Sequence, residues 1–252
     1  MIVYRKKFIT IQEVWDDEEP RAAGVDLVRC FQQVEPLGRM TCREFYTILL
    51  DLRREEGELF AAIKKGTRYE IRRAAGQDGL AYEAFDAGDR EVFAEFGDFY
   101  DRFAAQKGQP PLNRGWLSAM AAAHLITLTR VCEGAGATLV WHAYRRGRNR
   151  VTLLHSASLY RATTDKALRA KVGRANRYQH WRDILRFKAE LVGLYDMGGW
   201  YKGETDEERL RINRFKEEFG GKVVRNYICE RGLTLRGRLF LQLRQRLLGE
   251  AI

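Results

Sequence analysis

The chain has 252 residues, 45% of them hydrophobic, enough to fill one large core, and a formal net charge of +10. No window approaches eighteen uninterrupted apolar residues, which excludes a membrane-spanning helix, and the opening MIVYRKKFITIQEVWDDEEP lacks the apolar stretch of a signal peptide. The four cysteines, Cys30, Cys42, Cys132 and Cys229, lie far apart without paired metal-ligand spacing, which argues against a metal centre and fits a reducing, cytoplasmic setting better than a disulfide scaffold.

Taken in chain order, the apolar periodicity predicts strands at 6–15, 26–34 and 44–52, a helix over 55–75, a strand at 80–85 and helices over 90–107 and 113–125. Strands follow at 126–133, 137–144 and 150–160, then a helix over 165–192 interrupted near Gly173. A strand at 194–197, a helix over 205–219, a strand at 222–230 and a helix over 234–248 complete the chain. The short turns EGAG and RRGRN make the three central strands an antiparallel meander, and the later β-α-β units add strands through crossover helices, so the sheet is mixed. The acidic run DDEEP before Arg21 reads as a solvated loop or as a shield over a basic groove.

Charge is concentrated. Residues 141–192 hold ten Arg and three Lys against three acids, a surplus equal to that of the whole chain. Such a stretch suits a phosphate-bearing small molecule, an RNA, an acidic carrier protein or an anionic membrane, or else it consists of helices with solvated arginine faces. The helix over 55–75 pairs an apolar stripe (Leu59, Ile63, Ile71) with Lys64, Lys65, Arg68, Arg72 and Arg73.

The stretch LYDMGGWYKGETDEERLRINRFKEEFGG, residues 194–221, places Asp196 before a glycine turn and Lys216 on the helix that follows. Strand ends and free helix amides converge at such turns, where α/β proteins place ligands. Together with ELFAAIKKGTRYEIRRA before GLAYEAF, and with ANRYQHW and INRFKEEFGG, it resembles the FemABX-like (BioF-type) branch of the GNAT acyltransferase superfamily, over roughly residues 45–232. The resemblance implies an α/β (α+β) fold with a mixed, mainly antiparallel GNAT-like sheet flanked by helices. It divides the chain into an N-terminal β-rich and helical extension with a connecting helix, 1–78, a remnant of a first GNAT-like half, and a GNAT-like acyltransferase domain, 79–252.

The implied reaction moves an acyl or aminoacyl group from a thioester or ester to an amine, without a covalent enzyme intermediate. No tightly bound cofactor is implied. The donor is a co-substrate, either acyl-CoA, aminoacyl-tRNA or an acyl carrier protein, and the acceptor an amine on a cell-envelope precursor or sugar. In the resemblance Lys216 matches the lysine of the family's phenylalanine-lysine step, suited to an oxyanion or a phosphate, while Phe215 is core. Asp196 either orients and deprotonates the acceptor amine or caps the glycine turn.

Ser156, Ser158 and Tyr160 alternate on one strand face as candidate substrate ligands, and Trp200 follows the glycines as another. On the opposite face His155 would be a buried histidine with a hydrogen-bond partner, in line with Leu153, Ala157 and Leu159. RAKVGRANRYQHW departs from the GNAT pyrophosphate loop, with Ala170 where Gln or Arg is usual, yet Asn176 and Gln179 form a capping box that predicts a helix start near 176. Arg174 and Arg177 flank that start, and with Arg68 they are the candidate phosphate ligands.

The last helix spaces Leu235, Leu239, Leu243 and Leu247 four apart among Arg236, Arg238, Arg244 and Arg246, as for packing on the domain or for peripheral membrane contact through 234–248. The rival to the enzyme is a non-catalytic GNAT scaffold that binds RNA or an anionic membrane through its basic face.

Overall fold

The computed structural model describes every residue except 7, 17–19, 21–22, 87, 135, 162 and 250–252. Asp17, Glu18 and Glu19 of the acidic run therefore lie outside the described residues, as does the side chain of Leu247. Ten strands form one sheet: β1 (Ile2–Lys6), β2 (Ile9–Trp15), β3 (Leu27–Gln33), β4 (Thr41–Asp51), β5 (Leu80–Asp86), β6 (Ile126–Glu133), β7 (Thr138–Arg146), β8 (Arg150–Ser158), β9 (Leu194–Gly199) and β10 (Lys222–Gly232). The helices are α1 (Glu56–Ala62), α2 (Lys65–Gln77), α3 (Arg90–Gln106), α4 (Arg114–Ala122), α5 (Lys166–Ala189), α6 (Glu207–Glu217) and α7 (Leu235–Gly249).

The spatial order is β1-β2-β3-β10-β4-β9-β8-β7-β6-β5. Among the described residues only β2–β3 and β8–β9 are parallel, so the sheet is mixed and mainly antiparallel, as the sequence implied. The N-terminal strands join it directly, because β10 returns from the end of the chain to lie between β3 and β4. On one face Ile71 and Ala74 of α2 and Ala175, Ile184 and Phe187 of α5 pack with Tyr195 and Met197 of β9. On the other, Phe96 and Phe99 of α3 and Leu117 and Met120 of α4 cover Trp141 and Ala143 of β7. Each large side chain buried this way contributes roughly 1.5–3 kcal/mol.

Two local expectations change. The single helix over 55–75 is two, because Ile63 and Lys64 are extended and the Lys64 amide donates to the Glu218 carbonyl at 2.8 Å. The interruption near Gly173 is absent: α5 runs unbroken for 24 residues from its cap Asp165, whose carboxylate accepts from the Ala167 amide. One glycine costs about 1 kcal/mol relative to alanine, too little to end a helix packed along its length.

The four cysteines are not all free thiols. Cys42 and Cys229 are joined in a disulfide, since they stand opposite each other in the antiparallel β4–β10 register although 187 residues separate them. Cys30 and Cys132 remain free and buried, and burial pushes the Cys30 thiol up to about 11.

About half of the basic side chains of the 141–192 stretch are paired with acids, inside the stretch or outside it. Arg146 and Arg186 pair with Glu190, Arg150 with Asp196, Arg174 with Asp78, Arg177 with Glu70 and Glu218, and Lys171 with Glu133.

Candidate active site

The parallel pairing of β8 with β9 lasts for three residue pairs, from Arg150–Leu194 to Thr152–Asp196. Beyond it a bulge interrupts β8: Tyr144 of β7 faces Leu153, the next partner pair is Ala143–His155, and Leu154 is the extra residue. The strands part here, leaving a cleft of about 700 Å³ between β8, β9, α5 and α6. It lies past the carboxyl ends of the parallel pair, where open α/β sheets bind ligands.

The bulge also re-aims side chains. Ser156 and Ser158 line the cleft with Leu153, and Tyr160 sits at its edge, 47% exposed. His155 turns to the opposite face, against the rings of Tyr100 (4.7 Å), Phe96 and Trp116. Strict alternation had put it with Leu153, and had given it a hydrogen-bond partner. Instead it is packed by rings, and burial depresses its pKa to about 4.

Lys216, in the last turn of α6, reaches into the cleft and donates from Nζ to the Gly199 carbonyl at 2.6 Å. It is half-buried, and the loss of hydration pushes its pKa down to about 8 against the pull of Asp196. Gly198 forms the floor beneath it, with φ at 74°. A Cβ at this position would lie 2.8 Å from the Leu153 carbonyl oxygen and 3.9 Å from Lys216 Nζ, so any side chain would jam the point where β8 and β9 separate.

Asp196 is wholly buried. Its carboxylate accepts from Arg150 (2.7 and 3.0 Å), Gln32 (3.1 Å), the Gly198 amide (2.8 Å) and Thr47 Oγ1. Of the two roles open to it from sequence, these bonds describe the turn-holding one. With its donors all internal, the carboxylate has no edge left to take a proton from a ligand in the cleft.

The candidate phosphate ligands disperse. Arg174 forks onto Asp78 at 2.6 and 2.9 Å, and Arg68 caps α1 by donating to the Ala61 and Ile63 carbonyls. Trp200 donates to Glu217 at 2.9 Å and packs near Tyr46. None of these three lines the cleft. Arg177 does, although Glu70 and Glu218 hold it.

Asn176 and Gln179 form no capping box, because both sit inside α5 and turn toward the sheet. Asn176 Oδ1 is 2.9 Å from His142 Nε2, and Gln179 donates to the Thr129 carbonyl at 2.8 Å.

Sequence reading missed the buried network behind the cleft. Asp183 of α5 accepts from Tyr82 (2.8 Å), Tyr144 (2.6 Å) and His142 (2.8 Å), while Tyr195 bonds both Tyr144 (2.7 Å) and His180 (2.8 Å). Burial, with the negative charge of Asp183 close by, raises both Tyr144 and Tyr195 well above the usual phenol range. The available signal was polar spacing: His142 and Tyr144 share a strand face, and Asn176, Gln179, His180 and Asp183 recur three and four apart along one helix.

No protein-family model matches this sequence, and no curated protein matches it by sequence. Its fold is shared with solved structures. FemX superposes with a TM-score of 0.60 at 13% identity, covering 79% of this chain and 63% of that one. The C-terminal domain of a putative lysylphosphatidylglycerol synthetase from Agrobacterium fabrum gives 0.56 at 11% identity, covering 86% and 72%. L-PGS from Bacillus licheniformis gives 0.53 at 12%, with the same coverage. At these identities the likeness is one of fold, and the chain spans less than two thirds of the FemX chain. The architecture is the fold of FemX and of these synthetase domains, in line with the mixed, mainly antiparallel sheet that the sequence motifs implied.

Proposed function

We propose that this chain, which has the fold of FemX and of the lysylphosphatidylglycerol synthetase domains, is an N-acyltransferase acting in the β8–β9 cleft. The observation that carries the reading is Lys216: a half-buried ammonium, held by a backbone carbonyl at the strand split, above a glycine that keeps the floor clear. An amine attacks the carbonyl of a thioester or ester lying in the cleft, and Lys216 stabilises the oxyanion that forms. A fixed cationic donor in a partly dry site is worth about 3–4 kcal/mol to such a transition state. Ser156, Ser158 and Tyr160 supply hydrogen bonds to the substrates, and Arg177 adds a guanidinium to the cleft lining.

The unbroken α5 offers no glycine loop with free amides at 173–176, which favours aminoacyl-tRNA or an acyl carrier protein over acyl-CoA as donor. An amine on a cell-envelope precursor or sugar as acceptor rests on fold analogy. A cytoplasmic location follows from where such donors occur, since the Cys42–Cys229 bond removes the support drawn from cysteine spacing. The test is mass-detected transfer from lysyl-tRNA, acetyl-CoA and acyl carrier protein to primary amines. Lys216→Ala is expected to lower turnover by roughly 10²–10³-fold while the protein stays folded, checked by circular dichroism. Full turnover in that variant would remove the lysine from the mechanism.

One further observation favours membrane contact. Leu235, Leu239 and Leu243 of α7 are 72%, 49% and 56% exposed, while Leu241 on the other side of the helix packs against Ile9, Ile11 and Leu27. Arg236, Arg238 and Arg246 lie exposed around that leucine row. An amphipathic face of this kind suits an anionic bilayer, and lysylphosphatidylglycerol synthetases are named for an aminoacylated lipid. The RNA-binding rival loses part of its support, because about half of the basic side chains of the stretch are paired within the chain.

A further inference from the structure

We propose that His180 Nε2 takes the proton released by the acceptor amine, and that Tyr195 and Tyr144 pass it to Asp183; the step rests on the acyl-transfer reading above. The argument is one of hydrogen-bond direction. A carboxylate only accepts, so Tyr144 must donate its proton to Asp183 Oδ2. The Tyr144 oxygen then has only lone pairs for Tyr195, so Tyr195 donates to it across 2.7 Å. With that proton committed, the Tyr195 oxygen can only accept from His180 Nδ1 at 2.8 Å. Nδ1 therefore carries the imidazole hydrogen, and the free lone pair is on Nε2.

Nothing among the described residues hydrogen-bonds Nε2, and the ring lines the cleft. Its surroundings keep it neutral. Phe215 and Phe219 of the α6 end pack on it, His142 of β7 lies 4.3 Å away ring to ring, Tyr195 of β9 holds Nδ1, and the charges that face it are Lys216 and Arg177, both positive. Burial and these neighbours hold its pKa well below that of a free imidazole. Such a ring is a poor place to leave a proton and a good place to pass one through.

The step balances. The amine lone pair forms the N–C bond and the carbonyl π pair moves to oxygen. The N–H proton goes to Nε2, and the Nδ1 proton moves to the Tyr195 oxygen. The Tyr195 proton moves to Tyr144, and the Tyr144 proton moves to Asp183. On collapse the C–S or C–O bond breaks with its electron pair on the leaving atom, and the relay reverses, so that Nε2 returns one proton to that atom.

The chain has four histidines, so histidine ring ¹⁵N spectra of the full protein can be assigned by single substitutions. The expected result is a neutral His180 with its proton on Nδ1, unchanged from pH 5 to 8, and a mixed tautomer in Tyr195→Phe. A proton resting on Nε2, or an imidazolium titrating in that range, would overturn the relay. In the transfer assay with lysyl-tRNA and acetyl-CoA, His180→Gln should lose about 100-fold or more in kcat, recover in part as pH rises, and leave the donor KM within about twofold. Tyr195→Phe, a milder change at an intact ring, should fall between. Wild-type kcat and pH profile in both variants, beside an active wild type, sinks this step alone. A wild type inert with every donor sinks the acyl-transfer reading and this step with it.

Discussion

On the proposed mechanism Lys216 puts activity and stability on opposite pH slopes. Its ammonium titrates near pH 8 because burial disfavours the charge, so the proposed oxyanion would lose its cation as pH rises through 8. Turnover should therefore show a descending limb there, which Lys216→Arg, charged at every accessible pH, removes even as it lowers the maximum. Stability runs the other way. The unfolded lysine, with its ordinary value of 10.5, binds the proton that the folded one has released, so unfolding becomes costlier between pH 8 and 10.5. At this scale the position of Lys216 beside the glycine turn was legible, because a lysine at fixed spacing from such a turn is a local pattern. Arg174 and Arg68 were not, because a guanidinium near a helix reads the same whether it awaits a phosphate or already grips Asp78 or a carbonyl.

Helix α5 shows what propensity decides and what packing overrides. Gly173 suggested a break, but the helix continues, and a Cβ there would find only Arg177 Nη1 at 3.9 Å. Gly173→Ala should thus raise stability by about 0.5–1 kcal/mol, read by chemical denaturation, while the added methyl at the cleft wall raises the KM for the donor. Helix α7 poses the opposite problem, since its leucine row has no partner on one side. Replacing Leu235, Leu239 and Leu243 together with serine should abolish sedimentation with phosphatidylglycerol vesicles at low salt and leave transfer to a soluble amine intact. Strand β8 was placed correctly from its apolar grain, and so were the faces of Ser156, Ser158 and His155; only Leu153 changes sides, because the bulge at Leu154 breaks the alternation there.

Across the whole molecule, contacts between distant segments set the chemistry. The Cys42–Cys229 bond closes a long loop by tying β4 to β10, and its reduction should lower stability by roughly 2–4 kcal/mol, seen as a drop in melting temperature of roughly 5–15 °C. The local basic surplus is answered in part by Asp78, Glu70, Glu218 and Glu133, which precede or follow it in the chain. By itself the sequence determined the run of strands and helices, the FemX-like frame and the lysine after the glycine turn, because periodicity, turn residues and motif spacing act over a few residues. The partner of each charge, the disulfide, the bulge and the buried His180–Asp183 relay were decided only by tertiary structure, because register across a sheet and burial between layers join residues whose separation along the chain carries no trace of their meeting.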